Sequence, residues 1–393
     1  MARGRLARLT AFRRAERGRR RAAARRAAGR PARARPTREG ERPRFAWLLT
    51  GVLTVVEALR SGLSWARGLL VPLPRRVLPL PPPEEFLVVG HRGAAAKEVE
   101  NTVAAFDRAV ADGANAIETD LCVTADGEVV VWHDWDPDET VAFARAAGAE
   151  FDVAYRPVPP AEGPMRRPVH ELTLAQLRAH YDYAPMEGDR TVGATLPTLD
   201  DVVRWAAGKG SALACVLLDV KIPAAQRACA RTLVAALDAA VARHRPTCRF
   251  VLMSPVVEVT QDLREWAPRA SRSFDVEIKP GLAPDADDTD PRYAPYSAVR
   301  WAVRQGNDHA SIGRPRFTLG GWALYTRTVR RDLGEIALHR AHPAHPAPER
   351  LVCWTIDRPR EMRWLLRLGV HGILTDDPAR LRAEYERERA RDA

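Results

Sequence analysis

Residues 86–134 constrain the fold more than any other part of the sequence, because three short apolar segments there each end in polar or charged side chains. The first segment ends at His91, the second at the pair Glu118 and Asp120, and the third at His133. In α/β folds, catalytic and binding groups gather where strands end. The pattern therefore indicates an α/β fold whose site is built from these strand ends.

A tight turn determines how the third segment joins the second. The Asp-Gly pair at residues 126–127 is a strong hairpin signal, whereas a parallel neighbour would need a crossover of about a dozen residues. We therefore predict that Val129–His133 is an antiparallel flap, which would place His133 above Glu118 and Asp120. Because residues i and i+2 of a strand share a face, the two carboxylates would point into one space, as a hard divalent cation requires.

From Glu85 onward, strand and helix patterns alternate, which is typical of α/β architecture. Eight parallel strands with interleaved helices predict a TIM (β/α)8 barrel, with the flap after strand two. The predicted strands are Phe86–His91, Asn115–Leu121, Leu213–Lys221, Phe250–Ser254, about Ser271–Val276, one within Phe317–Leu324, Leu351–Ile356 and Gly372–Thr375. The predicted helices are about Thr102–Asp112, Thr198–Ala207 with Thr198 as N-cap, Ala224–Arg243, Tyr296–Arg304 and about Pro378–Arg391.

One long segment, residues 135–195, interrupts this alternation. It is irregular and rich in Pro and Gly, and it carries a helical pattern near Leu174–His180. Insertions of this length over a catalytic face are usually lids or substrate loops.

The net charge of +11 misleads, because residues 1–44 hold 17 Arg and 3 Glu, which leaves the rest of the chain near neutral. Composition predicts a basic, disordered and solvated arm for residues 1–44. The alternative is that the arm is attracted to anionic lipid headgroups or to nucleic acid. No specific nucleic-acid partner is expected.

Residues 45–71 are apolar but carry three charged side chains, and the uncharged run Phe45–Val56 is shorter than the roughly 20 residues that span a bilayer. Their polar and apolar residues fall on separate helical stripes, which predicts an amphipathic helix on a membrane or protein surface. Residues 72–84 are rich in Pro and read as a stiff linker to a barrel domain at residues 85–393. An anionic membrane surface could thus be a partner through residues 1–70.

The five cysteines lie mostly in apolar contexts and lack the spacing of a metal site. They predict reduced core thiols. We therefore expect a cytoplasmic protein. The alternative is a cytoplasmic protein that associates with a membrane through its N-terminal region.

Nine short motifs follow one another along the chain: His91-Arg92-Gly93, Glu100-Asn101-Thr102, Glu118-x-Asp120, the Asp126-Gly127 turn, His133-Asp134, Leu196-Pro197-Thr198-Leu199, Asp219-x-Lys221, Trp354-Thr355 and the run Gly372–Asp376. In this order they resemble the glycerophosphodiester phosphodiesterase family over roughly residues 86–385. Each motif alone is weak evidence, but their combination in this order is highly specific. The resemblance implies a TIM barrel phosphodiesterase.

A third carboxylate, Asp219, would join Glu118 and Asp120 in an all-oxygen site suited to Mg²⁺ or Ca²⁺. The family usually has Glu in the position of Asp219, so the side chain at this position is one methylene shorter here than in the family. Sphingomyelinase D-type enzymes, a distant branch with the same barrel, use Asp-x-Lys. The competing interpretation is that strand-end acids cap neighbouring helices.

His91 and His133 suit general acid–base chemistry near neutral pH. Arg92 and Lys221 would neutralise phosphate oxygens. We expect two further residues at the site: Glu100, either in substrate contact or orienting its neighbours, and Trp354, either lining the alcohol or glycerol pocket or filling the barrel.

The resemblance implies hydrolysis of a glycerophosphodiester to sn-glycerol 3-phosphate and an alcohol, with His91 as base and His133 as acid. One alternative is a phospholipase D-like enzyme acting on lysolipid or sphingolipid. Another is an inactive barrel that serves as a membrane-recruited binding module. Asp357 stands where the family has Asn, and His371 where it has Asp. Because of these differences, the resemblance does not identify which alcohol is released.

Overall fold

The computed structural model describes residues 73–391, except residues 151, 269, 278–296, 315–320, 343 and 345. The predicted arm at residues 1–44 and the predicted amphipathic helix at residues 45–71 lie outside the described residues. Within the described ranges, no helix combines the length and the apolar character needed to cross a membrane.

Eight parallel strands close into a barrel, which confirms the predicted TIM fold. The first barrel strand pairs with the second on one side and with the last on the other, which closes the barrel. In chain order the strands of this sheet are β1 Leu87–Gly90, β2 Ala116–Val123, β3 Val129–Val131, β6 Cys215–Val220, β7 Arg249–Ser254, β8 Ser271–Glu277, β9 His309–Gly313, β10 Arg350–Trp354 and β11 Gly372–Thr375. All of them except β3 belong to the barrel.

The strand β3 is the predicted flap. It pairs antiparallel with β2, with Leu121 opposite Val131 and Val123 opposite Val129. The backbone N–H of Trp132 then donates to the Asp120 carbonyl at 3.1 Å. The flap therefore runs back along the last residues of β2, and it returns the chain to the level of Asp120 at Trp132.

Helices cover the outside of the barrel. They are α1 Val103–Ala111, α4 Leu199–Lys209, α5 Cys229–His244, α6 Val257–Trp266, α7 Ala298–Gln305, α8 Gly321–Ala341, α9 Pro359–Leu368 and α10 Pro378–Arg389. Thr198 caps α4 as predicted, because its hydroxyl accepts from the Asp201 N–H while the Asp201 carboxylate accepts from the Thr198 N–H.

The insertion at residues 135–195 is more ordered than its composition indicates. It contains α2 Thr140–Ala146, the predicted α3 Leu174–His180 and an antiparallel hairpin of β4 Tyr155–Val158 with β5 Asp182–Pro185. Its aromatic side chains Tyr181 and Tyr183 pack on Trp132 of the flap, with ring centroids 5.7 Å and 5.2 Å apart. The insertion is therefore fixed to the flap by a buried aromatic cluster.

The predicted sixth strand is wrong. We expected it within Phe317–Leu324, but the strand is His309–Gly313, and α8 begins at Gly321. Ser311 pairs with Val352, whose side chain packs in the inner cluster of the barrel, so Ser311 faces the interior. Only Ala310 and Ile312 join the apolar layer under the helices, which leaves too short an apolar pattern to identify the strand.

Two apolar clusters hold the barrel together. The larger lies between the strands and the outer helices, and the smaller fills the interior with side chains such as Leu87, Ala116, Leu217 and Val251. The five cysteines are free thiols, and all except Cys229 are buried. At the carboxyl ends of the strands, the interior side chains are charged and no longer apolar. The candidate site lies at this end of the barrel.

Candidate active site

Three carboxylates converge at the carboxyl ends of two neighbouring barrel strands. Glu118 and Asp120 project inward from β2, and Asp219 is the register partner of Asp120 on β6. One oxygen from each of these side chains lies within 4.8 Å of the others. The structure thus brings together the three predicted metal ligands.

The described side chains leave part of the negative charge of these three carboxylates unbalanced. Burial, together with the charges of Asp120 and Asp219, raises the pKa of Glu118 well above its usual value. The Oδ1 atom of Asp219 is buried and has no hydrogen-bond partner among the described residues. Three carboxylates that repel one another, one of them with an unpartnered oxygen, suit a hard divalent cation, so the donor set fits Mg²⁺ or Ca²⁺.

Lys221 and Asn101 fix the orientation of the two aspartates in the trio. Lys221 Nζ lies 2.9 Å from Asp120 Oδ1 and 2.5 Å from Asp219 Oδ2. Although burial alone raises the pKa of Asp120, the nearby Lys221, His133 and Arg92 bring that pKa well below its usual value. Asn101 Nδ2 donates to Asp120 Oδ2 at 2.7 Å, and Asn101 adopts a left-handed backbone with φ 58°.

Arg92 lies at the centre of the site, but carboxylates already surround its side chain. Its backbone N–H donates to Glu118 Oε2 at 3.0 Å. Its Nη1 lies 2.7 Å from Glu100 Oε2 and 3.3 Å from Glu150 Oε2, and its Nε lies 3.1 Å from Asp120 Oδ2. Only 4% of Arg92 is exposed. The guanidinium therefore lies in a buried ion network and not in open solvent.

His91 occupies the end of β1 beside the trio. Its Nδ1 lies 2.7 Å from Asp376 Oδ1, and its Nε2 lies 4.0 Å from Glu118 Oε2. Burial, followed by the positive charge of Arg92, lowers the pKa of His91 to about 3. At neutral pH the ring is uncharged, which suits a proton acceptor.

His133 is the last residue of the flap, and its ring contacts the side chain of the next residue, Asp134. Its Nδ1 lies 2.6 Å from Asp134 Oδ1, and burial followed by Lys221 and Arg145 lowers the pKa of His133 to about 4. Arg145 and His133 in turn hold the pKa of Asp134 well below its usual range, although burial alone raises it. An ionised carboxylate at Nδ1 stabilises a protonated ring.

The remaining predicted residues take different positions. Glu100 is buried and contacts Arg92 and Arg145, so its described contacts are those of an orienting group. Trp354 ends β10 and lies against Gly313 of the neighbouring strand; a Cβ added to Gly313 would come within 2.8 Å of the ring. The indole is partly exposed at the barrel mouth.

Sequence reasoning missed four residues at the site. Asp134 and Asp376 stand inside recognised motifs, yet they received no role as partners of His133 and His91. Arg145 and Glu150 come from the insertion, where no spacing or motif identifies them. Their contacts join segments far apart in the chain, and only the folded structure shows them.

The chain is similar to several known proteins. Residues 91–380 match the model of the glycerophosphoryl diester phosphodiesterase family. A glycerophosphodiester phosphodiesterase from Caldanaerobacter subterraneus is 25% identical over 295 residues, which cover 75% of this chain and 96% of the relative.

Two solved structures show the same fold. One, from Silicibacter pomeroyi and assigned as a glycerophosphoryl diester phosphodiesterase, has a TM-score of 0.57 at 24% identity, covering 80% of this chain and 96% of its own. The other is an Oleispira antarctica phosphodiesterase in complex with the product sn-glycerol-3-phosphate. It has a TM-score of 0.51 at 16% identity, covering 76% and 96%.

Proposed function

Because this chain belongs to the glycerophosphoryl diester phosphodiesterase family, we propose that it hydrolyses a glycerophosphodiester to sn-glycerol 3-phosphate and an alcohol in a metal-dependent reaction. The observation that carries the proposal is the meeting of three carboxylates within 4.8 Å, next to a histidine held by its own carboxylate. A second histidine, held in the same way, is the last residue of the flap.

Glu118, Asp120 and Asp219 would hold the cation, which is Mg²⁺ or Ca²⁺ by the chemistry of its ligands. Such a cation, when bound, neutralises phosphate charge and makes a hydroxyl more acidic. Lys221 and Asn101 orient the ligands, and the Arg92 N–H orients Glu118. Lys221 and Arg92, which pair with carboxylates in this structure, would in addition contact phosphate oxygens of the substrate.

In this proposal His91 is the general base. Its Nδ1 is engaged by Asp376, so Nε2 faces the carboxylate trio and accepts the proton of the attacking water or glycerol hydroxyl. The oxygen of that nucleophile bonds to phosphorus as the alcohol departs; attack by the glycerol hydroxyl gives a cyclic phosphate, which water then opens to glycerol 3-phosphate.

His133 is the general acid. Burial, Lys221 and Arg145 lower the pKa of His133 to about 4 in the site without substrate, so its ring would take up the donated proton together with the negatively charged phosphodiester, next to ionised Asp134. Nε2 then gives that proton to the departing alcohol oxygen. Trp354 would border the alcohol at the mouth.

The test is release of glycerol 3-phosphate from glycerophosphocholine and glycerophosphoethanolamine, with EDTA, Mg²⁺ or Ca²⁺. We expect activity that EDTA abolishes and one of the metals restores. His91→Ala and His133→Ala should each lower kcat on these substrates by about 100-fold or more. Turnover near the wild-type rate in either variant would contradict the assigned role of that histidine.

A parallel assay with lysophosphatidylcholine vesicles tests the phospholipase D-like alternative. Release of choline from vesicles without release of glycerol 3-phosphate from the soluble diesters would favour that alternative. Inactivity on both substrate classes under every metal would favour a binding role for the barrel.

We also propose that residues 1–70 bring a cytoplasmic enzyme to anionic membranes. The supports are the basic composition of residues 1–44 and the amphipathic pattern of residues 45–71. Sedimentation with phosphatidylserine vesicles should depend on salt and be lost when residues 1–70 are deleted. Equal sedimentation of the full chain with neutral vesicles would contradict an electrostatic attachment.

A further inference from the structure

The insertion delivers one buried cation into the active site. Arg145 lies in the last turn of α2, and only 2% of its side chain is exposed. Its Nη1 donates to Asp134 Oδ2 at 2.7 Å, its Nε donates to Glu150 Oε2 at 2.8 Å, and its Nη2 donates to Glu100 Oε1. One guanidinium thus binds three carboxylates.

Two of those carboxylates also hold residues of the proposed mechanism. Asp134 uses Oδ2 for Arg145 and Oδ1 for His133 Nδ1, which lies 2.6 Å away. Glu100 uses Oε1 for Arg145 and Oε2 for Arg92 Nη1, at 2.7 Å. Arg145 therefore bridges the two orienting carboxylates through the oxygens that His133 and Arg92 do not use.

The contact with Asp134 has a geometric consequence. A carboxylate bound through only one oxygen can rotate about its Cβ–Cγ bond, whereas one bound through both oxygens has a single orientation. A fixed Asp134 in turn sets the tautomer and the plane of the His133 ring. Because Asp134 is 7% exposed, water is a poor substitute for the guanidinium, and removing Arg145 would leave a buried charge without its partner.

We propose that Arg145 is a positioning residue for general acid catalysis, and that by holding Asp134 it keeps His133 Nε2 directed at the departing alcohol. The inference rests on the function proposed above. In the step concerned, the bond between phosphorus and the alcohol oxygen breaks, and its electron pair stays on that oxygen. The oxygen takes the proton from His133 Nε2, and the ring is left neutral.

The proposal gives the insertion a second role. The helix α2 supplies Arg145, whose contact with Asp134 orients the acid His133. A substitution that impairs only the delivery of a proton to the leaving oxygen lowers the rate most for substrates whose leaving group needs that proton. Alcohols such as choline depart as poor leaving groups and need the proton, whereas 4-nitrophenol is acidic enough to leave as the phenolate.

The experiment compares two diesters of glycerol 3-phosphate, one with choline and one with 4-nitrophenol, in wild type and Arg145→Met. We expect kcat for the choline diester to fall about 100-fold and kcat for the 4-nitrophenyl diester to change by less than about threefold. The matched control is Arg156→Met, since Arg156 belongs to the same insertion but donates to the Ala146 and Gly188 carbonyls and to Asp189. Its kinetics should match the wild type on both diesters.

A second variant covers the case in which Arg145→Met does not fold, as judged by thermal unfolding. Arg145→Lys keeps a buried cation but cannot bind three carboxylates, so we expect a smaller loss with the same selectivity for the choline diester. Equal losses on both diesters in a folded variant would mean a merely structural role and would overturn the proposal. So would wild-type kcat on the choline diester. A wild type inactive on both diesters would instead contradict the proposed function itself.

Discussion

Asp120 of β2 and Asp219 of β6 are register partners across adjacent parallel strands. This register places both carboxylates at one level of the barrel mouth, where Lys221 Nζ lies within 3 Å of each. Lys221 leaves Oδ1 of Asp219 unbonded within the described part of the chain. The shorter Asp side chain therefore still places an oxygen where the site needs one.

Replacing Asp219 with Ala removes that oxygen. We expect a loss of activity of about 100-fold or more at saturating Mg²⁺ and a higher metal concentration for half-maximal rate. Glycerol 3-phosphate release across a metal titration measures both. Asp238→Ala, at an exposed position of α5, is the control and should behave as wild type. An unchanged metal requirement in Asp219→Ala would remove Asp219 from the proposed ligand set.

Asn101 allows its side chain and its backbone to be tested separately. Asn101→Gly tolerates the left-handed backbone but loses the amide that holds Asp120, so we expect metal affinity to fall about 10–100-fold. Asn101→Ala loses the amide and adds strain of roughly 1–2 kcal/mol. Calorimetric titration with the metal alone measures the first effect, and urea unfolding measures the second. Metal binding by Asn101→Gly as tight as in the wild type would show that the amide is dispensable.

Gly313 provides a test of Trp354. Because a Cβ at Gly313 would lie 2.8 Å from ring carbons of Trp354, Gly313→Ala must displace the indole. If the indole borders the alcohol, KM should rise, and by different factors for the choline and ethanolamine diesters. Gly334→Ala, at a position of α8 with open space around it, is the control. Unchanged KM values for both diesters would indicate that Trp354 only fills the barrel.

His371 makes stability depend on pH at a position away from the carboxylate trio. Burial, followed by Arg340 and Arg350, lowers the pKa of His371 to about 3, and its Nδ1 accepts from the Leu351 N–H. The unfolded chain binds this proton near pH 6.5, so the neutral ring favours the folded state above that pH. The contribution is lost as pH falls from about 6.5 toward 3.

Urea unfolding from pH 7.5 to pH 5 measures this effect in wild type and His371→Asn. We expect the wild type to lose stability more steeply than the variant over this range. Parallel slopes for the two proteins would show that His371 is protonated equally in the folded and unfolded states.

The sequence was most informative where the physics is local. The Asp-Gly turn and the short distance to Val129 required an antiparallel flap, and the structure confirms it. The switch from apolar to charged residues at each strand end located His91, Glu118 and Asp120 at one mouth of the barrel.

Prediction failed where one face of an element is unusual or where contacts join distant segments. β9 turns Ser311 toward the interior, so its apolar pattern is too short to recognise. Arg145 contacts Asp134 and Glu100 only because the insertion folds back on the flap. Arg92 was expected to bind phosphate oxygens, a role that stays a prediction, and the structure adds the carboxylates around it.

The bond between His91 and Asp376 joins side chains 285 positions apart. It crosses the seam where β1 meets β11, and the same seam is covered by Phe86 stacked on Tyr385 of the last helix. During synthesis, the base proposed here has no orienting carboxylate until residue 376 has left the ribosome. A chain that stops before residue 376 would lack this dyad. The activity proposed here therefore requires synthesis at least through residue 376 and packing of β11 against β1.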